Sequence, residues 1–235
     1  MGRVADDEAA AIAAVQRHGG WFERDGYDAA RPVVEVHFPG PGLTDADLLE
    51  LAAALQALPH VTLLDLTSNA ITDAALPAFH GLASLRDLSL EDTAVSDGCF
   101  GELRRLTGLT SLTLDRTRVT GVGARQLREI AGLESLGLRD TPVGDDGLTE
   151  VGTISSLRKL ALYRTRVTDA GLASLRGLRR LEVLQLYGTA ITDAGLKVLE
   201  GMSSLRDLHV DKTAVTAAGV AELERALPEC SVLGP

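Results

Sequence analysis

Residues 157–180 read LRKLALYRTRVTDAGLASLRGLRR, and residues 181–204 read LEVLQLYGTAITDAGLKVLEGMSS. Aligned in rows of 24 residues, both have Leu in columns one, four and six, Thr in column nine, and a Val/Ile-Thr-Asp-Ala-Gly-Leu run from column eleven. Seven such rows follow one another from residue 61 to residue 228 without an insertion. A fixed period of this length indicates a solenoid, in which each unit stacks on the next.

A longer row precedes the seven, because residues 33–48 repeat the pattern of residues 61–76 at an offset of 28. Its four extra residues are expected to extend the helix of that row, from Asp45 to Leu58. We therefore predict an N-terminal cap, residues 1–32, and an array of eight repeats, residues 33–235. The rows, numbered one to eight, are residues 33–60, 61–84, 85–108, 109–132, 133–156, 157–180, 181–204 and 205–228, with a truncated closing strand at residues 229–235.

Each row is predicted to form one strand and one short helix. Columns four and six alternate with polar or small residues, which is the period of a strand with one buried face. The hydroxyl of the column-nine Thr is expected to bond backbone groups of the turn and of the next row. Column twelve supplies a helix-capping residue, and the Asp after it suits the first helical turn. Column fifteen is small, as a close approach of helix to strand requires. The capping residues are Thr72, Ser96, Thr120, Thr168, Thr192 and Thr216.

Rows of this kind resemble leucine-rich repeats, and the Val-Thr-Asp-Ala-Gly-Leu turn resembles bacterial repeats related to the cysteine-containing subfamily. The resemblance covers residues 33–235. It implies an α/β fold, a right-handed solenoid or horseshoe with a parallel sheet on the concave face and helices on the convex face. It also implies binding, usually of a protein, rather than catalysis. The chain departs from the family in column nine, where Thr replaces the more usual Asn or Cys, so the turns are expected to be bonded differently.

The segment before the array is predicted to cap its N-terminal end. A helix is expected to begin at Asp6-Asp7-Glu8 and to end at Arg17-His18, because acids suit its first turn and Gly19-Gly20 follows it. Residues 21–23 are expected to form a short strand that pairs back to Val33. Trp21 and Phe22 are expected in the core of this cap. A cap is needed because an open solenoid end exposes apolar columns and a strand edge.

Columns three, five and seven should point to the concave face, because columns four and six are buried. The first half of this face is acidic, with Asp65, Asp87, Glu91, Asp92 and Asp115, whereas basic and aromatic residues follow from residue 139 onward. Tyr163 and Tyr187 share a column of adjacent rows, so they should lie about 5 Å apart. Tyr and Arg are enriched at binding hot spots. The alternative is that the two tyrosines pack on each other on a solvated face. The predicted binding residues are Arg139, Lys159, Tyr163, Arg164, Arg166, Gln185, Tyr187, His209 and Asp211.

Residues suited to catalysis or to metal binding are not grouped in the sequence. Asp207, His209 and Asp211 share a strand face, but alternate residues lie roughly 6–7 Å apart, too far to chelate one ion without long side chains. Cys99 occupies a small-residue column, so we expect a buried thiol there and at Cys230 rather than a nucleophile. The sequence therefore predicts neither a metal site nor a cofactor.

Composition narrows the classes of partner. The formal charge of −10 argues against nucleic acid, which requires basic surface, and against anionic membrane. No apolar run of about 18 residues occurs, and no signal peptide is visible, so a cytoplasmic, monomeric protein is expected. Lys and Asn are rare, with three and one residues, which is typical of a GC-rich bacterial genome.

The function predicted from these observations is a non-enzymatic protein-interaction module that binds a protein partner on the concave sheet face. Two alternatives remain open. The chain could be a structural or recognition region of a larger multidomain protein or adaptor whose activity lies elsewhere. A metal-dependent enzyme built on His209 is the less favoured alternative.

Overall fold

A computed structural model describes residues 2–26 and 31–234 of the chain. Ten strands form one sheet in which their spatial order follows the order of the sequence. β1 pairs antiparallel with β2, and every later strand pairs parallel with the one before it. The strands are β1 (Trp21–Arg24), β2 (Val33–His37), β3 (Leu63–Asp65), β4 (Asp87–Ser89), β5 (Ser111–Thr113), β6 (Ser135–Gly137), β7 (Lys159–Ala161), β8 (Val183–Gln185), β9 (Asp207–His209) and β10 (Ser231–Leu233).

Helical segments alternate with the strands along the array. The α-helices are α1 (Gly2–Arg17), α2 (Asp45–Gln56), α3 (Phe100–Leu103), α4 (Asp145–Val151), α5 (Asp169–Leu172), α6 (Asp193–Leu199) and α7 (Ala217–Ala226). Segments of 3₁₀-helix lie at Asp73–Phe79, Asp97–Cys99, Ala124–Glu129 and Ala173–Gly177. Rows two and four therefore contain only 3₁₀-helix among their helical segments. In row two Pro77 lies inside the segment, where it lacks the N–H that an α-helix would use.

The helix of row one ends earlier than the sequence suggested. Thr44 caps α2 and forms a reciprocal pair of hydrogen bonds with Asp47, which fixes its start. The helix stops at Gln56 rather than at Leu58. Leu58 precedes Pro59, and a residue before proline is disfavoured in the helical conformation.

The strands are in register with the 24-residue period, so equivalent columns stack. Leu64 pairs with Leu88, Leu88 with Leu112, and the same column continues to Leu208. The Leu and Val of columns one, four, six and eleven are all buried, and they form a continuous core with the inward face of the helices. The architecture predicted from the columns, a parallel sheet with helices behind it, is confirmed. The right-handed sense of the spiral stays a prediction.

The cap strand places its two aromatic residues on opposite faces. Phe22 pairs with Val36 and packs against the core, as expected. The prediction for Trp21 was wrong, because its side chain is 45% exposed and stacks on His37 with ring centroids 3.9 Å apart. Neighbouring residues of a strand point to opposite faces, so both could not enter the core. Trp21 therefore belongs to the concave face.

The Thr of column nine bonds within its own row. The hydroxyl of Thr93 donates to the Leu90 carbonyl at 2.6 Å, and the same bond recurs from Thr117 to Thr213. The expected bond to the next row is absent from the described hydrogen bonds, so that part of the prediction was wrong. Asn69 does link two rows, because its amide accepts from the Leu43 N–H and donates to the Phe38 carbonyl.

Adjacent rows are joined instead by the Asp after the capping residue. Asp145 of row five accepts from the Thr168 N–H at 2.8 Å and from the Thr168 hydroxyl at 2.7 Å. We call this pair of bonds a rung. Six of the seven contacts between successive rows, which we call joints, have a rung. The six rungs are Asp45–Thr72, Asp73–Ser96, Asp97–Thr120, Asp145–Thr168, Asp169–Thr192 and Asp193–Thr216.

The rungs also explain the small residues of column fifteen. A Cβ placed on Gly171 would lie 2.3 Å from an oxygen of Asp145, and Gly195 and Gly219 are equally close to the rung before them. These glycines therefore give room to a carboxylate of the preceding row. This is a more specific reason than the close helix-to-strand approach expected from the sequence.

The joint between rows four and five has no rung. Gly121 replaces the accepting Asp, and Gly144 replaces the donating Thr. At the other six joints the column-ten N–H donates to a carbonyl of the preceding row. At this joint column ten is Pro142, which has no N–H, so that backbone hydrogen bond is missing as well. The two turns approach backbone to backbone, since a Cβ on Gly147 would lie 2.1 Å from the Thr120 carbonyl oxygen. We call this contact the bare joint.

Candidate functional site

The concave face carries an aromatic pair in its C-terminal half. β7 and β8 are adjacent parallel strands, and Tyr163 and Tyr187 each follow the strand by two residues. Their ring centroids lie 5.7 Å apart at an interplanar angle of 67°, an edge-to-face arrangement. Both side chains are half-buried. Stacked columns in parallel strands produce this pairing, as the sequence predicted.

His209 of β9 also contacts Tyr163. Its Nδ1 lies 3.1 Å from the Tyr163 hydroxyl, and the two ring centroids are 6.4 Å apart. Burial raises the pKa of Tyr163, and the Asp211 carboxylate raises it further, while Arg139 acts in the opposite direction. The hydroxyl therefore stays protonated at neutral pH and is available for hydrogen bonding.

Two cations flank the aromatic pair. The guanidinium carbon of Arg139 lies 5.0 Å from the Tyr163 ring centroid, and the Lys212 ammonium lies 5.2 Å from the Tyr187 centroid. Contacts of this kind stabilise by about 0.5–1 kcal/mol at exposed sites. Together, Arg139, Tyr163, Tyr187, His209 and Lys212 form what we call the tyrosine patch.

Arg139 is fixed by Asp115 across the bare joint. Asp115 accepts the Arg139 N–H at 2.8 Å, and its other oxygen lies 3.3 Å from the guanidinium Nε. Asp115 is only 5% exposed. Burial raises the pKa of this carboxyl, while the bond to the Arg139 backbone and the Arg139 charge lower it. Gly137 makes the arrangement possible, because a Cβ there would lie 2.7 Å from the Asp115 carboxylate.

Lys212 was not among the residues predicted from the sequence. It occupies column eight, where every row from two to eight has a positive φ, with values from 53° to 67°. This left-handed turn places column eight at the rim of the concave face. The common φ could have been suspected only from Gly188, the one glycine in that column, since Ser, Asp, Arg and Lys fill the others.

The remaining predicted residues lie at varying distances from the tyrosine patch. Lys159 and Gln185 line a hollow of about 180 Å³ beside Gly137, which has no side chain, and Ala161, which has only a methyl group. Asp211 follows β9 in column seven, next to Tyr187.

Two of the predicted arginines, Arg164 and Arg166, have no described contact with the face of either tyrosine ring. Arg164 lies at the rim and forms a bidentate ion pair with Asp140, at 2.5 and 2.6 Å. This pair lowers the pKa of Asp140 and raises that of Arg164. Arg166 lies beyond the turn, where its backbone N–H donates to the Val143 carbonyl. No contact described for Arg166 joins it to the tyrosine patch.

The described residues contain no group of three His, Cys, Asp or Glu able to hold a metal ion. His209 is engaged with Tyr163 rather than with Asp207. Burial raises the pKa of the Cys99 thiol, and it raises that of Cys230 to about 11, so both thiols are protonated at neutral pH. Over the same part of the chain, none of the helices has the length and apolar character needed to cross a membrane.

The repeat geometry and the comparisons with known proteins agree. A family model described as Leucine Rich repeat matches residues 57–79. Among solved structures, internalin C2 from Listeria monocytogenes aligns with a TM-score of 0.62 over 96% of this chain and 92% of its own, at 20% identity. The chain folds as a leucine-rich-repeat protein. The predicted relation to the cysteine-containing subfamily stays a prediction.

A second internalin from L. monocytogenes, InlF, aligns over 97% of this chain and 88% of its own, with a TM-score of 0.44 and 16% identity. No curated protein sequence matches the present chain. At 20% identity, the likeness to internalin C2 concerns the fold alone. Leucine-rich-repeat folds are generally protein-interaction modules and are typically non-enzymatic.

Proposed function

We propose that this protein is a non-enzymatic interaction module that binds a protein partner through the concave face of its sheet. The observation that carries the proposal is the tyrosine patch. Two half-exposed aromatic rings, flanked by Arg139 and Lys212, lie on a sheet face that no other part of the described chain covers. Tyr and Arg are the residue types that dominate binding energy at protein interfaces.

Pre-ordering of the patch supports this proposal. Tyr163 contacts Tyr187, His209 and Arg139, and Arg139 is in turn held by Asp115. Side chains already fixed in position lose little conformational entropy when a partner binds. Lys159 and Gln185, which line the adjoining hollow, offer a charge and an amide to the same partner.

The proposal is tested by removing both rings. Tyr163→Ala combined with Tyr187→Ala is expected to weaken partner binding by about 30-fold or more, since truncating even one hot-spot residue costs about 2 kcal/mol. Thermal stability should change little, because both side chains point away from the core. The measurement is affinity capture from the source organism, identification of the partner, and titration of the purified pair.

The matched control is Tyr163→Phe combined with Tyr187→Phe. It keeps both rings and both cation contacts and removes only the hydroxyls, so binding should fall by less than about tenfold. Undiminished binding by the alanine variant would overturn the proposal for this surface.

A further inference from the structure

The N-terminal half of the concave face is a second surface, separate from the tyrosine patch. Trp21 and Glu23 of β1 pair with His37 and Glu35 of β2, so all four side chains point to the concave side. Glu35 pairs with Leu63 of β3, and Leu63 pairs with Asp87 of β4. We call this set the indole surface: Trp21, Glu23, Glu35, His37, Leu63, Asp65 and Asp87.

The exposed indole on this surface is held in place. Its ring lies parallel to that of His37, at an interplanar angle of 4°. His37 is itself fixed by two carboxylates, with Nε2 3.2 Å from Glu35 and Nδ1 3.5 Å from Asp65. β1 is the edge strand of the sheet and Trp21 is 45% exposed, so within the described part of the chain the ring face turned away from His37 is accessible. An oriented indole face attracts cations through its quadrupole.

Apart from His37, the ionisable side chains of this surface are all acidic. The concave columns of β1 to β4 carry five carboxylates, Glu23, Glu35, Asp65, Asp87 and Glu91, and neither Lys nor Arg. Glu91 is paired with Arg116 at 2.8 Å, and Glu35 and Asp65 share His37. Among the described residues, Glu23 and Asp87 form no ion pair. The field over this half of the sheet therefore favours a cationic partner.

Leu63 adds a feature that suits long basic side chains. Its side chain is half-buried and lines a hollow of about 350 Å³ together with Asp87. Its strand, β3, lies between the strands that carry Glu35 and Asp87. Lys and Arg place an apolar stem on such a surface while the charged end reaches the carboxylates beside it. Leu63 and its two acidic neighbours match that division.

We propose that the indole surface binds an Arg- or Lys-rich segment of a protein partner. One basic side chain lies along Leu63, with its charge at Glu35 and Asp87, and another lies over the open face of Trp21. This inference stands independently of the tyrosine patch, which lies beyond the bare joint on rows five to eight. A partner spanning the whole face would present its basic segment to rows one to three.

Trp21 is the single tryptophan of the chain, so its fluorescence reports on this surface directly. The test titrates the whole protein with a decapeptide of alternating Arg and Ser, and separately with one of alternating Glu and Ser. The Arg peptide should change the Trp21 emission saturably, and the Glu peptide should not. Binding of both peptides with equal affinity, or of neither, would overturn the proposal.

A pair of variants separates this surface from the overall negative charge of the protein. Asp87→Lys and Asp207→Lys occupy the same column and change the net charge equally. Asp87→Lys should weaken binding of the Arg peptide at least tenfold through like-charge repulsion, and Asp207→Lys by less than about twofold. Equal weakening by both would show a non-specific charge effect and would contradict the proposal.

Two further variants assign the bound peptide to its surface. Trp21→Ala, followed by calorimetry, should weaken binding about threefold, the size of an exposed cation–π contact. Tyr163→Ala combined with Tyr187→Ala should leave the Trp21 titration unchanged. Loss of peptide binding in the tyrosine variant would place the peptide on the tyrosine patch and overturn the inference, whatever the outcome for the proposed function.

Discussion

The joints with a rung and the bare joint solve the same packing problem in two ways. Where a rung is present, a carboxylate fills the space between two turns and bonds the capping residue of the next row, and a glycine such as Gly171 leaves room for it. At the bare joint the carboxylate is gone and the turns contact directly, at Gly121 and Gly147. Polar bonding between rows and close backbone packing are thus interchangeable here, but only when several residues change together.

The largest effect is expected from Gly147→Ala. Ala would normally favour a helix, but here its methyl group would meet the backbone of Thr120 and Gly121, which cannot move aside as a side chain can. We expect the free energy of unfolding to fall by about 3 kcal/mol, the upper range for overpacking. Urea unfolding followed by circular dichroism measures it.

The control for this substitution is Gly201→Ala, because nothing lies within 4 Å of a Cβ at Gly201. Its effect should stay within about 0.5 kcal/mol. A comparable loss in both variants would mean that the close approach at the bare joint is not what requires glycine.

A somewhat smaller effect is expected when a rung is removed. Asp145→Ala leaves the Thr168 N–H and hydroxyl without their acceptor, so we expect a loss of about 2 kcal/mol in unfolding free energy. Asp146→Ala is a closely matched control, since it removes the same charge from the same first turn of α4 but is exposed. If the two variants were equally stable, the rung would contribute nothing beyond the helix dipole.

The smallest effect concerns the ion pair that crosses the bare joint on the concave side. Burial raises the pKa of Asp115, so the folded protein binds this proton more tightly than the unfolded chain, whose Asp pKa is about 3.9. The stability that protonated Asp115 contributes is therefore fully present below about pH 3.9, and it is lost as the pH rises through the folded pKa. Asp115→Asn does not ionise, so its stability relative to wild type should improve as pH rises toward 7.

Asp140→Asn should show the opposite pH trend. The hydrogen bond to Arg164 lowers the pKa of Asp140, so its contribution is present above about pH 3.9 and is lost as pH falls through the folded pKa. The stability of the variant relative to wild type should therefore fall as the pH rises. Parallel pH profiles for the two variants, measured by thermal unfolding, would contradict the assigned directions.

The columns predicted the repeat fold because the core depends on periodic apolar residues, and every row repeats them. The rungs were not predicted, because Asp145 viewed within one row is simply an acid near a helix start. The signal lay between rows. Row four has Gly121 in place of the Asp, and row five has Gly144 in place of the Thr. Only a comparison of successive rows shows that these two residues are lost together.

The site shows the same limit. Column counting placed Tyr163 beside Tyr187, since it depends only on strand register. Lys212 was missed because its position depends on a left-handed turn that most rows make without glycine. Trp21 was assigned to the core because it is large and apolar, whereas the pairing of β1 with β2 turns it to the concave face.

The bare joint also restricts how this array can change its number of repeats. Rows two, three, six and seven each carry both a donating and an accepting rung residue. A copy of one of these rows could therefore be added or deleted next to another of them, and every rung residue would still have its hydrogen-bond partner. Rows four and five instead fit only each other at their shared boundary. Duplication is therefore expected to lengthen the solenoid on either side of that boundary. A row with both rung residues, inserted at the boundary, would find no accepting Asp in row four and no donating Thr in row five.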